Sequence, residues 1–394
     1  MGISLAYLYR ETTMNEHQFD IAIIGGGPAG STAALFLTRM NFHVCVIEKT
    51  TFPRETICGE ILSSEVSRIL EELHLRESFL SLHPNPLTSF RLCMENARSY
   101  NANLPFPAYG LKRGTFDAFL LDNARLAGAV IFQPTTARAI HHAGSDYDVV
   151  LHGEGGIKHL TSRHVIVAHG KSLSLDKTLH RSYQKSRSRL NGIKFHVHKK
   201  YLPNVPEHEI QLYTGRNMYC GVNVVNEDTV TLCFLEERLP DDVQPRARVT
   251  ELMKSNTQFA QAISDDFETM LTSFPIYGTG DIYFGKKRLV EHGIFSIGDA
   301  AQVIAPLAGD GIGMAMESAR IIANVLYEGR KESASCEALS RMYTKRWRSS
   351  FQRRLRIAKE IQHILLSRLG KKVGGMVLAR FPSLLSRTIE LTRG

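Results

Sequence analysis

No apolar run in this 394-residue chain approaches the roughly 18 residues that a helix needs to cross a bilayer, which excludes a transmembrane helix. No basic segment precedes the first apolar stretch, and Arg10 and Glu11 interrupt it, so a secretory signal is not expected. Gly2 follows Met1, but position 6 is Ala6 rather than Ser or Thr, so the myristoylation pattern fails. Residues 1–17 read as a flexible tail, with Met14 as an alternative start. The six cysteines form no C-x-x-C pair and no regular ladder. That argues against structural disulfides and a thiolate metal site, and for a reducing, cytoplasmic compartment. His141-His142 and His196-x-His198 lack an acid at ligand spacing, so they read as surface or strand residues and no metal is expected. There is one tryptophan, Trp347, and neither an internal repeat nor a low-complexity tract.

Charge is unevenly placed. Residues 331–394 hold 15 Lys/Arg against 4 Asp/Glu, so the whole positive excess of the chain lies there. Ile357, Ile361, Ile364, Leu365 and Leu369 recur at helical spacing among these bases. Two readings stay open: a helix covering the core with a solvated basic face, or one lying on an anionic membrane or docking an acidic partner. No recognition motif accompanies the charge, so nucleic acid is not expected as a partner.

The most informative segment lies at 19–48. Ile21–Ile24 is an apolar run, as in a strand buried on both faces. Gly25, Gly27 and Gly30 follow in G-x-G-x-x-G spacing, with Pro28 and Ala29 between. The first glycine allows the tight turn, the second lets a pyrophosphate approach the backbone, and the third lets helix pack on strand. Ser31–Met40 reads as the helix whose amides hold phosphate. Val44–Ile47 is a second strand, and Glu48 ends it where a carboxylate bonds ribose hydroxyls, with Lys49 next. An acid there disfavours the 2′-phosphate of NADP.

Further along, Ser63–Leu75 reads as a helix. Phe90–Met94 and Ser99–Asn103 read as short strands bounded by His83-Pro-Asn-Pro and Leu104-Pro-Phe-Pro. Thr115–Leu126 reads as a helix capped by Thr115. Val130–Phe132, a poor hairpin at Asp148–Leu151 and a buried strand at 164–168 follow. Residues 171–190 read as a mobile connection, 191–235 as three or four antiparallel strands, and 241–273 as helical. Ile294–Asp299 is one more strand with a terminal acid, followed by a glycine-rich loop and a helix from Ile312 to Tyr327.

Four blocks together resemble the p-hydroxybenzoate hydroxylase-like FAD superfamily, nearest to geranylgeranyl reductases and related bacterial FAD-dependent monooxygenases. They are the front fingerprint; Phe52-Pro53-Arg54-x-x-x-x-Cys58-Gly59-Glu60; Arg113-x-x-x-Asp117-x-x-Leu120; and Gly298-Asp299-Ala300-Ala301 followed by Pro306-x-x-Gly309-x-Gly311. The resemblance runs from about residue 18 to 330. It implies an α/β (α+β) fold: a Rossmann-like FAD-binding domain (18–82, 110–170 and 281–328) with an inserted antiparallel β-sheet substrate domain (83–109 and 171–280) and basic C-terminal helices (329–394).

The resemblance implies FAD held by Gly25, Gly27, Pro28, Ala29, Gly30, Glu48, Lys49, Arg54, Cys58, Gly59, Arg113, Gly298, Asp299, Pro306, Gly309, Gly311 and Ile312. The helix after Gly311 would aim its positive end at the flavin pyrimidine. Asp117 reads as a structural acid. Glu60 is a candidate proton donor if its pocket raises its pKa, or a cap for the helix after it.

Two departures bear on function. Family hydroxylases carry an Asp-Gly pair where this chain has His169-Gly170. An imidazole does not accept ribose hydroxyls as a carboxylate does, and it adds positive charge if protonated. That puts NAD(P)H as a transient reductant in doubt and makes an electron-donor protein an alternative. The family's halogenases carry paired tryptophans and a catalytic lysine; the single Trp347, in the basic tail, sets halogenation aside. The expected function is an FAD-dependent oxidoreductase, a monooxygenase hydroxylating an apolar aromatic, polyketide-like or lipidic substrate under the strands of 191–235. The alternatives are a double-bond reductase and a non-catalytic flavin-binding protein at a membrane or partner surface. Localisation is expected to be cytoplasmic, with the C-terminal region as a candidate for peripheral membrane contact.

Overall fold

The strand Gln18–Ile24 has parallel partners on both sides, Val44–Ile47 and Gly156–Val167, which is why Ile21 to Ile24 are apolar without alternation. The computed structural model describes residues 18–154, 156–171, 174–179, 181, 190–237, 244–280 and 282–392. The tail expected at 1–17 and most of the connection expected at 171–190 lie outside them. Among the described residues, the sheet runs Val290–Glu291, Ile294–Ser296, Gly156–Val167, Gln18–Ile24, Val44–Ile47, Val130–Phe132 from edge to edge.

One face of this sheet carries the helices Pro28–Arg39, Arg113–Leu126 and Gly311–Glu332, sharing one apolar core. The other face is covered by an antiparallel meander in place of the expected poor hairpin. Thr135–Ala143 pairs with Asp146–Gly153, which pairs with Gly156–Val167. Tyr147, Val149 and Leu151 point inward at alternate positions, so the period-two signal was present in the sequence.

A second sheet runs Ile276–Thr279, Leu190–His198, Thr229–Glu237, Met218–Asn226, Glu209–Gly215, Asn85–Cys93, Ser99–Gly110, Ile61–Leu62. All pairs are antiparallel except Glu209–Gly215 with Asn85–Cys93. Two of its strands run through the prolines expected to bound them. The register shifts between Leu87 and Ser89, opposite Ala108 and Asn103. Residues 104–107 therefore bulge out of the ladder, and Pro105 and Pro107 are not asked for a donor. The helix expected from Thr115 begins at Arg113 instead, after Lys112.

Alternation sorts this sheet's two faces. Ile193, Phe195, Val197, Val222, Val230 and Leu232 face the helices Pro245–Ser255, Thr257–Ala262 and Phe267–Met270. The intervening residues face the parallel-sheet unit, and between the two units lies the cavity.

The C-terminal region divides. The helix Cys336–Leu366 puts Leu339, Tyr343, Trp347, Phe351 and Ala358 into the core of the parallel-sheet unit. Tyr343 donates its hydroxyl to the Ser296 carbonyl at 2.6 Å. Arg354, expected within a basic face, is 7% exposed and bonded to Glu65 and Asp310. The helix stops at Ser367, whose side chain caps the next helix, Arg368–Arg380, so Leu369 leaves the expected stripe. A last helix spans Ser383–Leu391.

Candidate flavin and substrate site

Gly25 has φ +110°, and a side chain there would meet the Ala168 carbonyl at 2.4 Å. At Gly30 a Cβ would lie 1.8 Å from the Gly25 carbonyl, so only glycine lets helix Pro28–Arg39 sit this close to its strand. Gly27 differs: its backbone is extended, and a Cβ would meet only the Arg54 guanidinium, at 3.5 Å. The open space is on the cavity side, beneath a cation and at a helix N-terminus, which is the cradle a pyrophosphate needs. Arg54 Nε has no hydrogen-bond partner. Its Nη2 lies 3.9 Å from Glu48 and 3.7 Å from Asp117.

Glu48 is 3% exposed and fixed at its strand end. Oε2 accepts the Gly26 N–H at 2.8 Å, and Oε1 accepts the Thr50 N–H and hydroxyl at 2.9 and 2.7 Å. Across the cavity, Gly298 has φ +58° and packs against Ala29, which sets Asp299 at the rim. Gly309 turns left-handed (φ +60°) before the helix that starts at Gly311.

One continuous cavity of about 450 Å³ brings these segments together. It is lined by Gly25, Gly27, Pro28, Ala29, Glu48, Lys49, Arg54, Cys58, Gly59, Glu60, Arg113, Asp299, Pro306, Gly309, Gly311 and Ile312. Gly30 and Gly298, also expected to hold the dinucleotide, do not line it; they are the packing contacts that shape it. The cradle at Gly27, the fixed Glu48 and the unpartnered Arg54 Nε fit FAD. Arg113 lines the cavity while Nε and Nη2 bond the buried Asp117 at 2.7 and 2.8 Å, so Asp117 positions it.

Glu60 sits at φ +59°, a left-handed backbone that is unusual without glycine. Its Oε1 accepts the Arg113 backbone N–H at 2.9 Å and the Lys194 ammonium at 3.1 Å. Its Oε2 accepts the Thr231 hydroxyl and lies 2.6 Å from His196 Nε2. Burial opposes its charge, but His196, Lys194 and Thr231 outweigh burial and hold its pKa at about 2. The expectation of a proton donor with a raised pKa is therefore corrected, and Glu60 does not cap the helix after it either. Lys194 also bonds Glu55 at 2.6 Å. Oxygen and nitrogen atoms of Glu55, Glu60 and His196 lie within 4.8 Å of one another, but the Lys194 ammonium bridges the two carboxylates and supplies the cation. His196, read from sequence as lacking an acid, has two.

His169 lines the cavity, and its Nε2 is 3.2 Å from Asp176 Oδ1. Burial lowers its pKa against the pull of Asp176, with Lys287 and Arg181 assisting. The lowered pKa works against the positive charge considered from sequence.

The antiparallel sheet contributes Ile210, Leu212, Tyr219, Gly221, Asn223 and Cys233 to the cavity. Asn223 is 1% exposed, and neither its amide oxygen nor its nitrogen has a partner. Its outward place in the alternation of 218–226 is the one sequence signal that could have found it. Cys233 faces the same cavity as Cys58, a neighbour that sequence spacing hid.

A nucleotide cradle at a helix N-terminus, joined to an apolar chamber under an antiparallel sheet, defines a flavin-dependent oxidoreductase. The FAD binding domain family model matches residues 18–355, and the chain belongs to that family, the p-hydroxybenzoate hydroxylase-like FAD-dependent oxidoreductases. It is 23% identical over 368 residues to digeranylgeranylglycerophospholipid reductase 1 of Methanopyrus kandleri, covering 88% of this chain and 91% of that one. It is 23% identical over 371 residues to a 1H-pyrrole-2-carbonyl peptidyl-carrier-protein chlorinase of Pseudomonas fluorescens, covering 81% and 78%. A geranylgeranyl bacteriochlorophyll reductase-like structure from Thermoplasma acidophilum superposes with TM-score 0.71 at 20% identity, covering 89% and 88%. The protein is an enzyme that uses FAD. Among the described residues, no helix is long and apolar enough to cross a membrane.

Proposed function

We propose that this FAD-dependent oxidoreductase is a monooxygenase that hydroxylates an apolar aromatic, polyketide-like or lipidic substrate. The observation that carries the reading is the clamp on Glu60, whose carboxylate accepts from Lys194 and Thr231 and lies against His196. A double-bond reductase needs a protein acid to protonate substrate carbon. The carboxyl that meets the antiparallel sheet here is clamped by Lys194, His196 and Thr231, which hold its pKa down at about 2, so near neutrality it carries no proton to donate. Hydroxylation asks instead for an enclosed apolar seat that orients the substrate and excludes water.

The chain's residues suit that task. Gly25, Gly27, Glu48, Arg54, Arg113 and Asp299 would hold FAD, which supplies the electron transfer and oxygen activation when bound. Phe90, Ile210, Leu212, Ile282 and Val303 exclude water from the adjoining wall. Asn223 offers one donor and one acceptor to fix a phenol, carbonyl or amide. The reductant is either NAD(P)H bound transiently or an electron-donor protein.

A reductase is the second reading, favoured by the near full-length alignment with the Methanopyrus enzyme. Halogenation is set aside because Trp347 is the single tryptophan and packs on Phe351 in the core. The test is mass spectrometry of products after reduced holoprotein meets a panel of alkylphenols and polyprenyl lipids. Gain of one labelled oxygen atom, in labelled oxygen gas only, supports the monooxygenase. Gain of two hydrogens without oxygen would replace it with the reductase.

A further inference from the structure

Seven of the eleven large hydrophobic side chains that stand exposed among the described residues lie between Ile364 and Leu391. The concentration is not a fraying end. The helix Arg368–Arg380 is fastened along its inner face: Lys371 bonds the Glu95 carboxylate and the Gly215 carbonyl, and Tyr100 donates to the Gly375 carbonyl at 2.7 Å. At 100° per residue, Leu369, Val373, Met376 and Val377 fall on the opposite, outward face. They are 71%, 46%, 53% and 42% exposed, and Phe381 extends the stripe at 55%.

The bases lie along this stripe. Arg368 and Lys372 border it, and Arg380 and Arg387 follow, all exposed; Glu390 is the one exposed acid of 364–392. Arg353, Arg356 and Lys359 are exposed on the preceding helix, with Glu360 beside them. A soluble monomer rarely leaves so long an apolar stripe in water, and a stripe edged by arginine and lysine matches an anionic bilayer surface. Two copies packed stripe to stripe would oppose like charges, which disfavours a self-interface.

The stripe is also backed by the cavity wall. Ile361, Leu365, Leu366 and Leu378 belong to the same apolar cluster as Tyr219 and Leu212, which line the cavity. Gln362 meets the Tyr219 hydroxyl at 3.3 Å.

We infer that the helix Arg368–Arg380 with Phe381 is a membrane-surface anchor, lying in the headgroup region of an anionic bilayer with its inner face bolted to the enzyme. This helix of 13 residues is about 20 Å long, too short to span, so it lies in the plane. The contact stands apart from the reaction the site performs.

Co-sedimentation of full-length holoprotein with vesicles tests it, one set of phosphatidylcholine alone and one with a third phosphatidylglycerol. Binding is expected at least about tenfold stronger to the anionic set and to weaken with salt. The double change Met376→Asp with Phe381→Asp removes binding, and Lys372→Glu with Arg380→Glu lowers it about tenfold. Retained flavin absorbance and an unchanged melting temperature show that the variants fold. Failure of the parent protein to bind anionic vesicles, or binding by the Asp double variant as tight as the parent's, overturns the inference. A parent dimer in vesicle-free solution that the Asp double variant dissociates assigns the stripe to a second copy and overturns it as well.

Discussion

His196 Nε2 stands 2.6 Å from Glu60 Oε2, across 136 residues of sequence. The contact ties the turn after Cys58, at the flavin side of the cavity, to the antiparallel sheet that roofs it. Lys194 and Thr231 add two more ties from the same sheet to the same carboxylate.

Glu60→Gln leaves the fully buried Lys194 side chain with only Glu55 as a counter-charge. Unfolding in denaturant is expected to lose about 3 kcal/mol, the lower end for breaking a buried pair because Glu55 remains. The acid limb changes too. The folded pKa of about 2 lies below the ordinary 4.5, so this contribution is complete above pH 4.5 and disappears as pH falls toward 2. The Gln variant lacks that limb.

Gly27→Val and Gly30→Ala separate cofactor binding from folding. Gly27 has an extended backbone and open space on the cavity side, so the valine variant keeps the melting temperature of the flavin-free parent but purifies without flavin absorbance. Gly30→Ala drives a methyl into the Gly25 carbonyl and is expected to cost about 3 kcal/mol or more of stability. Equal stability for the two variants would count against the assigned roles.

Asn223→Leu removes a buried amide without partners and replaces it with an apolar side chain of similar size. The substrate-free protein is expected to gain about 1 kcal/mol in denaturant unfolding. The same change should weaken flavin spectral shifts caused by phenolic or carbonyl ligands and spare those caused by plain alkanes. Unchanged selectivity would remove Asn223 from the substrate seat.

Two histidines make the fold sensitive to mild acid. Burial, with Arg163 assisting, puts the His164 pKa at about 4, and burial lowers that of His169 as well. Both take up a proton less readily when folded than when unfolded. The His164 contribution is complete above pH 6.5 and fades as pH falls toward 4, by up to about 3 kcal/mol, and that of His169 runs in the same direction. Urea midpoints measured across that range should fall for the parent and flatten for His164→Gln.

What sequence conveyed was what short spacing controls. Gly25 to Glu48 forms one strand–turn–helix–strand unit whose parts touch within 30 residues, so periodicity and glycine spacing described it well. Gly298 to Gly311 was legible for the same reason. The clamp on Glu60 was not, because its partners come from strands more than 130 residues away and no spacing rule links them. Pro105 and Pro107 misled because a bulge opposite Leu87 and Ser89 took them out of the ladder. Arg354 looked like one base among many; only packing shows that it points inward.

Arg354 also sets an order of events in the life of the protein. Its guanidinium bonds Asp310, just ahead of the helix that begins at Gly311, and Glu65 beside the first unit, from a position 44 residues after Asp310. A ribosome releasing the chain therefore delivers the glycine loop before the residue that fastens it. Fastening of that loop therefore waits until residue 354 has also been made.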